Sequence, residues 1–126
     1  MAVELAPWAG LLEGEEVAHV GVEPAREAHT GPIPPGLHPT VRDALGVDAL
    51  YVHQLGAWEA AARGENMIVT TGTASGKTLA FNLPVLDAIA RDPKTRALYL
   101  YPTKALAQDQ ARSLATFRIP RLNAAI

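Results

Sequence analysis

The chain has 126 residues, 48% of them hydrophobic and 19% charged, a net charge of −2 and no cysteine. That size is one small domain at most, with room for a core that buries roughly two-thirds of the unfolded surface. The composition excludes a disordered chain, disulfides and Cys-ligated metal sites, and no apolar run reaches the roughly 18 residues of a membrane span. The acidic opening MAVELAPWAGLLEGEE lacks the basic lead of a secretory signal. A cytoplasmic location without membrane contact is therefore expected. The charge is unevenly placed: residues 1–49 sum to −6 and residues 50–126 to +4. A basic second half suits an anionic partner, but also an ordinary Lys/Arg-rich surface.

In chain order, the first forty residues hold six of the ten prolines. Proline fixes φ and lacks a donor, so Gly31–Pro39 cannot be a helix or a central strand. Residues 1–40 read as an irregular arm lying on the fold, with a short helix near Ala25–Ala28 and disorder over the first dozen residues. His19, His29 and His38 have spacings that suit no single face, so they read as separate histidines rather than as a metal cluster. Thr40 is expected to cap a helix over Val41–Leu45, ended by Gly46. A second helix is expected from about Leu50 to Arg63, with Tyr51, Leu55, Trp58 and Ala62 at helical spacing.

Asn66–Thr70 then reads as a buried strand of a parallel sheet. The loop Thr71–Lys77 follows, and a helix over Thr78–Arg91 carries Leu79, Leu83, Leu86 and Ala90 on one face. Pro84 lies inside that helix and removes one hydrogen bond. Asp92–Thr95 is a turn, and Arg96–Tyr101 a second buried strand. Thr103 caps a last helix bearing Leu106, Gln110 and Leu114. Leu122–Ile126 reads as the start of a third strand, so the chain is read as truncated or as a gene fragment. The order predicts an α/β fold, a parallel sheet with flanking helices joined by a right-handed crossover.

The segment Thr71-Gly72-Thr73-Ala74-Ser75-Gly76-Lys77-Thr78 lies between predicted strand and helix. There the backbone N–H groups of a loop, at the positive end of a helix, can wrap a triphosphate. Gly72 and Gly76 allow close approach, Lys77 reaches the outer phosphates, and the Thr78 hydroxyl is the expected Mg²⁺ ligand. The strict phosphate-loop pattern begins with Gly, and here Thr71 stands in its place. A polar strand-to-helix turn capped by Ser75 or Thr73 is the plainer reading.

Seventeen residues before Thr71 stands Gln54. Its amide offers the acceptor and donor that match the N6/N7 edge of adenine, and Tyr51 nearby can stack on a base. An exposed helical Gln is the plainer alternative. Tyr101-Pro102-Thr103-Lys104-Ala105-Leu106-Ala107-Gln108-Asp109-Gln110 begins at a predicted strand end, where ligands bind in parallel sheets. There Thr103, the helix N–H groups and Lys104 can hold a nucleic-acid phosphate, unless the segment is only an N-capped helix.

Taken together, LYVHQ, TGTASGKT and PTKALAQDQ resemble the Q motif, motif I and motif Ia of superfamily 2 DEAD/DEAH-box helicases. The wording is most similar to RecQ-like DNA-repair helicases of the mitomycin repair factor A group, over about residues 17–126. Thr71 and Ala74 depart from the DEAD-box form of motif I and make an RNA helicase of that type less fitting. The resemblance implies a RecA-like lobe cut before its acidic motif, with residues 1–40 as arm and 41–126 as the first part of the lobe.

It further implies an ATP- and Mg²⁺-dependent 3′–5′ DNA helicase acting on a single strand or fork, in DNA repair. Another P-loop NTPase, an RNA helicase or an inactive fragment are the alternatives. Tyr51, Gln54 and residues 71–78 would bind ATP, with Lys77 and Thr78 as the catalytic pair, and Thr103 and Lys104 would bind the nucleic-acid backbone. No Asp-Glu-x-His/Asp sequence occurs in the 126 residues, and no second lobe is present. Little or no ATPase activity is expected of this chain alone.

Overall fold

A computed structural model describes residues 27–72 and 76–126. Its elements run β1 (Thr30–Pro32), α1 (Pro39–Leu45), β2 (Ala49–Tyr51), α2 (Val52–Ala62), α3 (Lys77–Arg91) and α4 (Lys104–Ala115). β1 pairs antiparallel with β2, placing Gly31 opposite Leu50, and this pair is the sheet present among the described residues. Residues 30–32 of the expected arm are thus a short edge strand. Pro32 is tolerated there because the outer side of an edge strand needs no donor. Ala28 and Glu27 carry no helix, and the remainder of the helix expected near Ala25 lies outside the described residues. The expected disorder of the first dozen residues lies outside them too.

The helices form where their local signals stand. α1 starts with Pro39 at its first turn, and its N-cap is His38 rather than Thr40. The His38 Nδ1 accepts from the Thr40 N–H at 3.3 Å, so an imidazole does what a hydroxyl was expected to do. Gly46 ends α1 in the left-handed region at φ 61°. α2 begins two residues later than expected, because Leu50 and Tyr51 are held in β2 by the Thr30–Pro32 strand. α3 continues through Pro84 and buries Ala80, Leu83 and Leu86. Thr103 caps α4, its hydroxyl accepting from the Leu106 N–H at 3.2 Å.

The core gathers Leu37, Val41, Leu50, Leu83, Leu86, Leu114 and Ile119, with Trp58, Leu55 and Phe117 against it. α2 and α3 form the most extensive packing between elements. Leu37 contributes from the Pro-rich stretch, so that stretch is built into the core.

Among the described residues the parallel sheet is not formed. Residues 66–70, 96–101 and 122–126 carry no strand. Ile68 is 92% exposed, Leu98 85% and Leu100 84%, while Tyr99 between the last two turns inward. A covered face and a bare face alternate there. Hydrogen-bond ladders need a neighbouring strand, and about a third of sequential strands are not neighbours in their sheet. Among the described residues no segment pairs with any of the three stretches, so the burial on both faces expected of 66–70 and 96–101 is replaced by partial burial at Val69, Tyr99 and Tyr101.

Candidate functional site

The loop between residues 70 and 77 meets α3 at Gly76, whose φ of 77° only glycine adopts without strain. That turn aims the next residue, Lys77, back along the loop. Lys77 Nζ donates to the Thr71 and Gly72 carbonyls, each at 2.6 Å. The ammonium therefore closes the loop on its own first carbonyls. Thr78 follows, half-buried in the first turn of α3. The roles expected of Thr73, Ala74 and Ser75 fall outside the described residues.

Gln54 occupies the first turn of α2 and is only 4% exposed. Its Oε1 accepts from the Tyr51 N–H at 2.9 Å, and its Nε2 donates to the Gly76 carbonyl at 3.0 Å. The exposed helical Gln is thereby set aside. The amide joins the start of α2 to the last glycine of the loop. Each end keeps one further position, a lone pair on Oε1 and a second N–H on Nε2.

The Tyr51 ring lies beside the same glycine: a Cβ on Gly76 would stand 3.4 Å from Tyr51 Cδ2 and 2.6 Å from Gln54 Nε2. Tyr51 also stacks on His53, with centroids 5.5 Å apart and planes at 11°. The structure thus brings together Tyr51, Gln54, Gly76 and Lys77, with Thr78 next to them in the chain. Thr103 and Lys104 stand apart at the exposed start of α4. Among the described residues they make no hydrogen bond to that group.

Two arrangements escaped the reading of the sequence. Tyr99 Oη donates to Asn82 Oδ1 at 2.9 Å inside α3's packing face. Burial, with Tyr101 close by, pushes the Tyr99 phenol up to about 12. Burial also raises Tyr101. The second arrangement centres on Asp87, which is 8% exposed and accepts from four N–H groups on three segments. A carboxylate on the same helix side as Leu83 and Leu86, four residues before Arg91, was the available signal. Among the described residues no cluster of His, Cys, Asp and Glu suits a metal ion. Nor is any helix there long and apolar enough to cross a membrane.

Comparison with known proteins agrees with this geometry. The model of the DEAD/DEAH box helicase family matches residues 51–126. The chain is 52% identical over 96 residues to the uncharacterized ATP-dependent helicase YprA of Bacillus subtilis, covering 74% of this chain and 13% of YprA. It is 36% identical over 113 residues to the ATP-dependent helicase HRQ1 of Saccharomyces cerevisiae, covering 88% of this chain and 10% of HRQ1. The crystal structure of the DUF1998 helicase MrfA bound to DNA and AMPPNP superposes with a TM-score of 0.74 at 47% identity. That match covers 90% of this chain and 16% of MrfA. The chain therefore spans little more than a tenth of the curated relatives it matches. The family match takes in Tyr51, Gln54, Gly76, Lys77 and the start of α4, over more than half of the chain, and on that ground the chain belongs to the DEAD/DEAH box helicase family.

Proposed function

We propose that this chain is the ATP-binding N-terminal portion of an ATP-dependent 3′–5′ DNA helicase that serves DNA repair. In this reading residues 1–40 lead into the first part of a RecA-like lobe, residues 41–126. The observation that carries it is the Gln54 bond to Gly76. That bond seats at the end of the loop an amide whose donor and acceptor match the edge of adenine.

The residues present fit a Mg²⁺-nucleotide. Gly76 makes the left-handed turn that leads the loop into α3, whose N-terminus presents its positive end to an anion. Lys77 would leave the Thr71 and Gly72 carbonyls for the outer phosphates, a charge-assisted exchange that favours the anion. The Thr78 hydroxyl would hold the metal ion, which supplies charge neutralisation at the phosphates. The unused lone pair and N–H of Gln54 would take the N6–H and N7 of adenine, while the Tyr51 face not covered by His53 stacks on the base. Thr103, the α4 N-terminus and Lys104 would grip a nucleic-acid phosphate without reading sequence. The likeness to a helicase solved with DNA supports DNA over RNA as the partner.

Titration with a fluorescent ATP analogue tests the site. Lys77→Ala is expected to weaken binding at least about tenfold, the scale of one lost charge-assisted contact. Gln54→Ala is expected to narrow the preference for ATP over GTP. Unchanged affinity in the first variant sinks the phosphate site, and unchanged base preference in the second sinks the adenine assignment.

A further inference from the structure

We infer that Asp87 is a positioning residue for nucleotide binding, acting from the far end of α3 through the seat of Gln54 on Gly76; this rests on the nucleotide-site reading above. Asp87 lies ten residues beyond Lys77 on the same helix, about 15 Å along its axis. Its Oδ1 accepts from the His38 N–H at 2.7 Å and from Arg91 Nη2 at 3.2 Å. Its Oδ2 accepts from Arg91 Nε at 3.0 Å and from Trp58 Nε1 at 3.2 Å. Arg91 Nη2 also donates to the Gly36 carbonyl. One carboxylate thus ties α3 to α2 and to the Pro-rich stretch that precedes α1.

Trp58 stands one helical turn after Gln54, so both present to the same side of α2. α2 is therefore pinned to α3 at two places, Gln54 on Gly76 and Trp58 on Asp87. α2 also packs extensively along α3, and one hydrogen bond within that packing sets its direction less closely than two. Two points fix its direction as well as its position. Gln54 is 96% buried with both ends of its amide engaged, so a small pivot of α2 would break one of its two bonds. The arm enters the same device, because His38 and Gly36 share the carboxylate–guanidinium pair. A disturbance of the arm is thereby transmitted to the loop end without touching the loop.

The test uses the full chain and a fluorescent ATP analogue. Asp87→Asn replaces one acceptor oxygen by an NH₂ that faces donors only. It is expected to weaken nucleotide binding about fivefold, the lower end of usual coupling between sites. Trp58→Phe keeps the ring, removes one N–H, and is expected to weaken binding in the same direction by less. In a Gln54→Ala background the effect of Asp87→Asn should disappear, which a general loss of stability would not produce. If Lys77→Ala abolishes binding while Asp87→Asn and Trp58→Phe bind as the parent does, the positioning inference falls alone. If Lys77→Ala binds as the parent does, the nucleotide site itself falls. Should Asp87→Asn fail to fold, Trp58→Phe with and without Gln54→Ala decides: penalties that simply multiply overturn the inference.

Discussion

Gly76 and Gly46 both sit in the left-handed region, at φ 77° and 61°, yet they differ in surroundings. A Cβ on Gly46 meets nothing within 4 Å, whereas one on Gly76 would stand 2.6 Å from Gln54 Nε2. Gly46→Ala should therefore cost backbone strain alone, about 1–2 kcal/mol. Gly76→Ala should cost at least that and also displace Gln54, so nucleotide binding falls with stability only in this variant. Denaturant melts together with nucleotide titration separate the two, and equal loss of binding in both would refute the distinction. Tyr99 gives a second prediction. Its phenol titrates near 12 in the folded chain, held neutral by burial, and near 10 when unfolded. Above pH 10 the unfolded chain sheds that proton while the folded chain keeps it. Stability is thus full below pH 10 and declines as pH rises from 10 towards 12. Phenolate absorbance should show Tyr99 as the last tyrosine to titrate, after Tyr101, and Tyr99→Phe should remove that last phase; a last phase unchanged in Tyr99→Phe would overturn the assignment.

The helices were legible from the sequence because their signals are local. The spacing of Leu79, Leu83 and Leu86 and the Thr103 cap each act within a few residues. The strands were not legible, since a ladder depends on which other segment lies alongside. Val69 and Tyr99 turn inward, but Ile68, Leu98 and Leu100 stand bare. A cavity of about 470 Å³ lies between α3, α4 and residues 96–101, bordered by Val85, Ile89, Tyr101 and Gln110. Conversely β1 formed where a proline-rich arm was expected, because pairing with Ala49–Tyr51 outweighs the weak local preference of Thr-Gly-Pro. Of the proposed site residues, type and spacing single out Gln54 and Lys77, which the structure brings to the two ends of the loop, and Thr103, which stands apart at α4. Their partners were not legible, since the Gln54–Gly76 bond spans 22 residues and the His38–Asp87 bond 49. The bare segments carry a prediction of their own. Unpaired apolar stretches promote association. Ile68→Lys combined with Leu98→Lys should leave urea stability within about 0.5 kcal/mol per site, as exposed positions do, and reduce light scattering at high concentration. A loss well beyond that would mean these side chains are buried against something in solution.

At the scale of the molecule, the proposed nucleotide would touch three parts of the chain: the β2–α2 junction at Tyr51 and Gln54, the loop, and the first turn of α3. Only the folded chain holds these together, since Gln54 and Gly76 are joined across the α2–α3 interface. A ligand that binds the folded form alone stabilises it by about 2.7 kcal/mol at one hundred times its dissociation constant. For a chain of this length that is a rise in Tm on the order of 10 °C. A non-hydrolysable ATP analogue with Mg²⁺ is the appropriate probe, because it separates binding from turnover. Thermal melts should shift upward with analogue concentration, less when EDTA removes the metal and hardly at all for Lys77→Ala. Gln54→Ala should reduce the shift for the ATP analogue towards that seen with the GTP analogue. A parent chain whose Tm stays fixed at millimolar analogue, or a Lys77→Ala chain that shifts as far as the parent, would show that this loop and its neighbouring glutamine do not constitute a nucleotide site.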